Sequence, residues 1–457
     1  MPPIAEILAR QDAFFRTGKT LDISFRLRQL ANLKACLARR KQELLAALAG
    51  DMHKPSYEAC YSEIGLVQNE IGCALRMLRS WARPRRIQTP RALFPGRSKV
   101  YRCPYGVCLI FSAWNYPVQL TLSPLVGAVA AGNCAVVKPS ERSTRSSAVV
   151  AALIRECFDE RYVAAVEGEV DTAKELLKQN FNYVFFTGST AVGSEVLKAA
   201  ARLLVPSTLQ LGGKCPCVVD RGADINIAAK RTVWGKFFNA GQSCVSPDYA
   251  AVPREDKDAF VKAAIRCIER LFGADPQKSP DYSRIIDRKH FDRLKHLCDT
   301  AAVAYGGRTD ADDLYIAPTI IDNAGWDDPV MQEEIFGPVM PVLAYDDLWT
   351  LMAEIAAGPS PLSLYFFSKS KKRRRRVINE VPFGCGCMND TLMHIVGPHL
   401  PFGGIGASGI GRYHGKASFD TFSYEKGILD TPLFPDIVLR YPPSSALKRW
   451  IGTKMFG

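Results

Sequence analysis

From residue 106 the chain alternates strand-like and helix-like segments about every 20–25 residues, and that rhythm constrains the fold more than any other feature. Val107–Phe111, Cys134–Val137, Tyr162–Val166, Tyr183–Phe186 and Ser207–Leu211 are short apolar runs bounded by turn residues, and they read as buried strands. Between them Leu120–Ala131, Ser143–Phe158, Thr172–Gln179 and Ala191–Leu203 carry helical spacing, with Gly132-Asn133 closing the first. Strands linked by helices pair through right-handed crossovers, so this region predicts an open parallel sheet. Such sheets take ligands beyond the carboxyl ends of their strands. A second alternation from Pro216-Cys217-Val218-Val219 to Leu364-Tyr365-Phe366 predicts a second α/β domain. Residues 22–80 repeat apolar positions at three and four (Leu27, Leu30, Leu33, Leu37; then Leu44, Leu45, Leu48) and predict helices. Pro84–Pro104 breaks the rhythm with four prolines and many arginines, and reads as an exposed hairpin or arm. The tail after Tyr413 has little periodicity.

A chain of 457 residues is too long for one core and predicts two or three domains, at roughly 100–200 residues each. The 14 cysteines are scattered without a CxxC pair, and Cys215/Cys217 and Cys385/Cys387 have poor spacing for zinc. Reduced, mostly buried thiols and a cytoplasmic location are expected. The six histidines are spread apart and expected in hydrogen-bonded structural roles, so no metal is expected. The first residues lack an apolar signal core, and no stretch approaches ~18 uncharged apolar residues, so neither a leader nor a membrane anchor is expected. The net charge of +13 is partly carried by Lys369–Arg376. That run could grip nucleic acid, but it has no interleaved aromatics and apolar segments flank it. It reads as the solvated face of a helix running toward Val377, with no nucleic-acid partner.

Cys244 ends the run Phe238-Asn239-Ala240-Gly241-Gln242-Ser243-Cys244, and Asn115 lies in Ala113-Trp114-Asn115-Tyr116-Pro117 after a strand. A thiol on a glycine turn and an amide on a rigid loop are what attack on a carbonyl needs: a nucleophile and an oxyanion donor. Phe185-Phe186-Thr187-Gly188-Ser189-Thr190-Ala191-Val192-Gly193 reads as strand, glycine turn and helix start, suited to a pyrophosphate or to any tight βα turn. Lys138-Pro139-Ser140-Glu141 could grip ribose hydroxyls or form a surface ion pair. Gly404-Ile405-Gly406-Ala407-Ser408-Gly409 matches GxGxxG, yet no strand leads into it and no acidic residue follows at the required distance.

Together these segments resemble the NAD(P)-dependent aldehyde dehydrogenase superfamily, in its class 3 branch for fatty and aromatic aldehydes. The class 3 resemblance rests on Leu400–Gly406 through Gly411-Arg412-Tyr413-His414-Gly415-Lys416-Ala417-Ser418-Phe419, supported by Asn389-Asp390-Thr391-Leu392 and Arg440-Tyr441-Pro442-Pro443. It implies an α/β fold: an open parallel-sheet cofactor domain (1–85 and 105–212), a catalytic α/β domain (213–408), and bridging segments (86–104 and 409–457) that form a homodimer. It implies Cys244 as nucleophile and Asn115 as oxyanion donor. The dinucleotide, NAD or NADP, would be held by Lys138 and Glu141 at the adenosine ribose. Gly188, Ser189, Thr190, Ala191, Val192 and Gly193 would cradle the pyrophosphate. Glu334 and Phe336, in Glu333-Glu334-Ile335-Phe336-Gly337-Pro338, would meet the nicotinamide end. Some membrane-bound class 3 members carry an apolar anchor beyond the point where this tail stops, so a soluble enzyme is expected.

One position departs from the family pattern. Leu209-Gln210-Leu211-Gly212-Gly213-Lys214 carries glutamine where the family has the glutamate that activates water. An amide accepts no proton at neutral pH and can only orient a water. Losing a general base costs ~10²–10⁴-fold in its step. Three explanations stand: an engineered substitution that traps the intermediate; another base, with Glu334 the nearest candidate; or an acceptor other than water, such as coenzyme A.

Overall fold

The computed structural model describes residues 3–436 and 440–456; Gly457, the last residue of the tail, lies outside them. An arm comes first, with β1 (Arg85–Ile87) and β2 (Arg97–Pro104). Five strands then alternate with helices: β3 (Val107–Phe111), β4 (Cys134–Lys138), β5 (Val163–Ala165), β6 (Tyr183–Thr187) and β7 (Ser207–Gln210). A second series follows, with β8 (Pro216–Val219), β9 (Tyr249–Pro253), β10 (Val303–Tyr305), β11 (Thr309–Asp310), β12 (Tyr315–Ile316), β13 (Thr319–Ile321), β14 (Val339–Tyr345), β15 (Ser363–Phe367) and β16 (Cys385–Met388). The chain ends through β17 (Gly409–Ile410), β18 (Ser423–Asp430) and the helix Ala446–Phe456.

The first sheet runs β17-β7-β6-β3-β4-β5, parallel except for β17. The chain moves outward from β3 to β5, then returns to β6 on the other side of β3. The strand order therefore reverses between β3 and β6, where a crevice opens at the carboxyl ends. Register aligns those ends, with Phe111 opposite both Lys138 and Phe186, and Thr187 opposite Gln210. The loops after β3, β4, β6 and β7 thus rise along one edge. The helix Gln119–Ala131, which follows β3, is apolar all round and buried along its whole length. Gly132 ends it at φ 96, in the left-handed region that glycine enters freely.

The second sheet, β10-β13-β14-β9-β8-β15-β16, is parallel except for β10. The basic run lies on the helix Lys371–Glu380, capped by Ser370 and anchored by buried Val377. Arg373 pairs with Asp220, and Arg376 stacks on Trp349 at 3.6 Å while pairing with Glu380. The tail is more regular than its sequence suggests. β18 pairs antiparallel with β2 from Ser423↔Pro104 to Asp430↔Arg97 and completes a three-stranded arm, β1-β2-β18. All 14 cysteines are free thiols. Among the described residues no helix is long and apolar enough to cross a membrane, and no cluster of His, Cys, Asp or Glu could hold a metal.

Candidate active site

Cys244 lies on the turn between the helix Ile225–Phe237 and β9, in the wall of a cleft that residues of both α/β series line. Three consecutive residues there are left-handed: Asn239 (φ 52, ψ 35), Ala240 (φ 50, ψ 36) and Gly241 (φ 73). A non-glycine residue in that region costs about 1–2 kcal/mol, so the turn must be held from outside. Asn239 Nδ2 donates to Gln242 O at 3.2 Å and to Asn115 O at 3.0 Å. Gln242 Nε2 donates to Asn239 O and Arg284 O, while Gln242 Oε1 accepts from Ile286 N. A β-carbon at Gly241 would collide with the carbonyl of Gly337, so the turn also packs on the segment that bears Glu334 and Phe336. The backbone N–H groups of Cys244 and Val245 face the sulfur. Burial, reinforced by the charge of Glu334, pushes the thiol well above its ordinary pKa.

Asn115 is buried at the carboxyl end of β3. Its Nδ2 donates to Gln242 O at 3.1 Å, which leaves a second N–H on the same atom. The loop that bears Asn115 and the turn that bears Cys244 are thereby tied together through side chains and carbonyls of both.

Two spaces meet at the sulfur. A cleft of about 610 Å³ runs along the carboxyl ends of the first sheet and is lined by Lys138, Glu141, Gly188, Ser189, Val192, Gln210, Glu334 and Phe336. A narrow channel with about 50 Å³ of free space, lined by Tyr61, Trp234, Phe238, Ile395, Val396 and Phe402, also reaches Cys244. Cys244 and Leu120 belong to the walls of both.

The sequence-predicted cofactor residues divide along the cleft. Lys138 is buried and ion-paired with Glu141 at the rim, which holds the glutamate below its usual range against the effect of burial. Ser189 caps the helix Thr190–Arg202 by accepting from Val192 N. Thr190 and Ala191 are exposed at the helix start, where first-turn N–H groups have no intrahelical partner. Gly193 does not line the cleft; it is buried against Leu211, packing helix on strand. The segment Gly404–Gly409 lines no part of the cleft, since Gly409 pairs with Gln210 in the sheet.

Gln210 is 3% exposed, and neither its Nε2 nor its Oε1 has a hydrogen-bond partner. Glu334 lies against Gly212 and accepts a backbone N–H from Gly213. Burial, then the charge of Asp248, push its carboxyl up to about 8. Phe336, also left-handed at φ 51, meets Trp114 edge to face at 5.4 Å. This segment is held by residues that the sequence did not single out. Lys214 donates to Val330 O and Glu333 O, Asp248 accepts from Ile335 N, and Arg293 reaches Glu334 O and Ile335 O. His414 departs from the expected hydrogen-bonded role, because neither ring nitrogen has a partner. His394 fulfils it, meeting Ser363 and Cys387.

A dinucleotide-sized cleft at a strand-order reversal, opening on a thiol beside an amide donor, defines an oxidoreductase of the aldehyde dehydrogenase kind. The aldehyde dehydrogenase family profile matches residues 4–428, and the chain belongs to that family. It is 46% identical over 419 residues to the 4,4'-diaponeurosporen-aldehyde dehydrogenase of Staphylococcus aureus, covering 91% of each chain. To human aldehyde dehydrogenase family 3 member B1 it is 43% identical over 447 residues, covering 97% of this chain and 96% of that one. The substrate-bound structure of Staphylococcus aureus AldH superposes with a TM-score of 0.97 at 43% identity, covering 99% of this chain and all of the other. These relatives place it in the class 3 branch, whose members oxidise aldehydes to acids with NAD(P).

Proposed function

We propose that this chain oxidises medium- or long-chain aliphatic or aromatic aldehydes through a thioacyl form of Cys244, with NAD preferred over NADP. The observation that carries this reading is the place of Cys244, in the walls of both the wide polar cleft and the narrow apolar channel. The channel lining suits a hydrocarbon chain or ring, and the cleft is within the size range of cofactor sites.

The residues present fit a dinucleotide. Lys138 and Glu141 would hold its adenosine ribose, the turn Gly188–Gly193 its pyrophosphate, Glu334 its second ribose, and Phe336 would pack at the nicotinamide. The Glu141 carboxylate would repel a 2′-phosphate, which favours NAD. When bound, the nicotinamide accepts a hydride from the substrate carbon.

Cys244 thiolate attacks the carbonyl carbon, a C–S bond forms and the π electrons move to oxygen. The free N–H of Asn115 Nδ2 and the backbone N–H of Cys244 receive that oxyanion. Water then cleaves the thioacyl bond, and a base must take its proton. Gln210 is no base. Glu334, whose carboxyl is pushed up to about 8 and which lines the same cleft as Cys244, takes the proton from sulfur, gives it up to solvent, and then takes one from the attacking water.

We further read 1–85 and 105–212 as the cofactor domain, 213–408 as the catalytic domain, and 86–104 and 409–457 as bridging segments of a homodimer. Free thiols throughout support a cytoplasmic location.

Rapid mixing with octanal and NAD at pH 7 tests the chemistry. A burst of NADH near one per site, then a slow steady state, is expected, with an acyl adduct on Cys244 by mass spectrometry. Cys244→Ala should give no burst. Cys215→Ala should keep it, because that thiol lines neither space and bonds only backbone groups, donating to Cys244 O and accepting from Ser363 N. A burst in Cys244→Ala sinks the assignment; a steady state accelerated by CoA identifies a thiol acceptor instead of water.

A further inference from the structure

Lys54 and Glu63 form an ion pair whose side chains are both fully enclosed, at 2.6 Å, and neither residue lines the cleft or the channel. Burying two charges is costly and seldom repaid by their mutual attraction alone, so the remaining partners show what the pair holds. Lys54 Nζ donates to Asn115 O at 3.1 Å and lies 4.0 Å over the Tyr116 ring. The other carboxylate oxygen of Glu63 accepts from Val118 N and Gln119 N, each at 3.0 Å. Those N–H groups open the buried helix Gln119–Ala131, where first-turn donors lack intrahelical partners and a negative charge is favoured. The pair therefore grips Asn115-Tyr116-Pro117-Val118 from both ends: the carbonyl of the residue with the oxyanion amide, and the N–H groups that follow.

Local backbone supports this. Glu63 sits in a stretch of π-helix, Cys60–Gly65, between the helices Ser56–Ala59 and Leu66–Trp81. Such bulges are uncommon and often found at functional sites. Asn115 O is shared with Asn239 Nδ2, so Lys54 and the nucleophile turn meet on one carbonyl.

We propose that Lys54 and Glu63 are positioning residues for acylation, fixing Asn115 Nδ2 against Cys244 through the backbone of the oxyanion loop. This rests on the proposed role of Asn115. A misplacement of about 1 Å can cost roughly 10²-fold in rate.

The test is a double-mutant cycle read on the NADH burst rate. Asn115→Ala should lower the burst about 10²–10³-fold. Lys54→Met should lower it about 10- to 100-fold, with NAD affinity by fluorescence titration unchanged. In the Asn115→Ala background, Lys54→Met should cost less than about twofold more, since residues acting as a unit are not additive. Should Lys54→Met fail to fold, Glu63→Gln carries the same cycle, keeping volume and an oxygen for the two N–H groups. Full multiplication of the two losses, or a wild-type burst in Lys54→Met or Glu63→Gln, overturns the positioning role. A wild-type burst in Asn115→Ala would instead overturn the oxyanion assignment beneath it.

Discussion

At position 210 the structure bears on how an amide is accommodated where the family pattern has a carboxylate. The Gln210 side chain is enclosed with both polar atoms unpartnered, and a carboxylate there would be similarly desolvated. An orphaned amide costs roughly 1–3 kcal/mol, less than an uncompensated charge. On the proposed mechanism the acid–base burden falls on Glu334, whose carboxyl burial pushes up to about 8. Steady-state turnover is expected to climb with pH toward 8, about tenfold per unit on the acid side, and to level above it. Glu334→Gln should flatten that limb. Gln210→Glu should raise the steady state at pH 7 at least about tenfold, the low end of what a general base supplies, with the burst rate unchanged. A pH-independent steady state in the unmutated protein would remove Glu334 as the base.

The turn from β7 to β8 passes directly under that carboxylate, and it yields a test at the scale of an element. A β-carbon at Gly212 would collide with the Glu334 carboxylate, the mobile end of a side chain rather than backbone. Gly212→Ala is therefore expected to fold with little change in thermal midpoint, yet to displace Glu334 and lose the pH-dependent limb. Loss of the fold, or an unchanged pH profile, would contradict this. Elements of this kind explain what the sequence made legible. β3 to β7 and their helices fall within a few residues of the apolar periodicity, because they are buried and burial writes a pattern. β18 was illegible for the opposite reason: beyond Ser423 the whole strand is exposed, so no face is selected to be apolar. Cys244, Asn115 and Glu334, which the structure brings to one cleft, were legible as candidates because they sit in recognisable motifs. The Lys54–Glu63 pair was not, since its partners are backbone groups 55–61 positions away from it in the chain.

Across the whole molecule, the three-stranded arm is the part that a single chain leaves unfinished. Among the described residues β18 has no neighbour on its outer edge, so alternate residues along this eight-residue strand present unpaired backbone groups. Exposed edges of this length invite pairing unless something covers them. The same region carries Ile87, Phe94, Ile428 and Leu429 exposed, with Leu433 at 98% and Phe434 at 87% just beyond the strand. Scattered exposed apolar residues are ordinary on a monomer; a run of them beside an open edge makes this region the candidate for the proposed dimer contact. Two chains meeting across their arms would close the edge and cover these side chains in one symmetric contact. Light scattering at micromolar concentration is expected to give twice the 50.4 kDa chain mass. Leu433→Asp combined with Phe434→Asp should shift the population toward monomer, because a charge in the covered patch would be desolvated. Neither residue lines the cleft or the channel, so the NADH burst of the dissociated chain should persist. A monomer mass for the unmutated protein, or a dimer indifferent to both aspartates, would place the interface elsewhere or remove it.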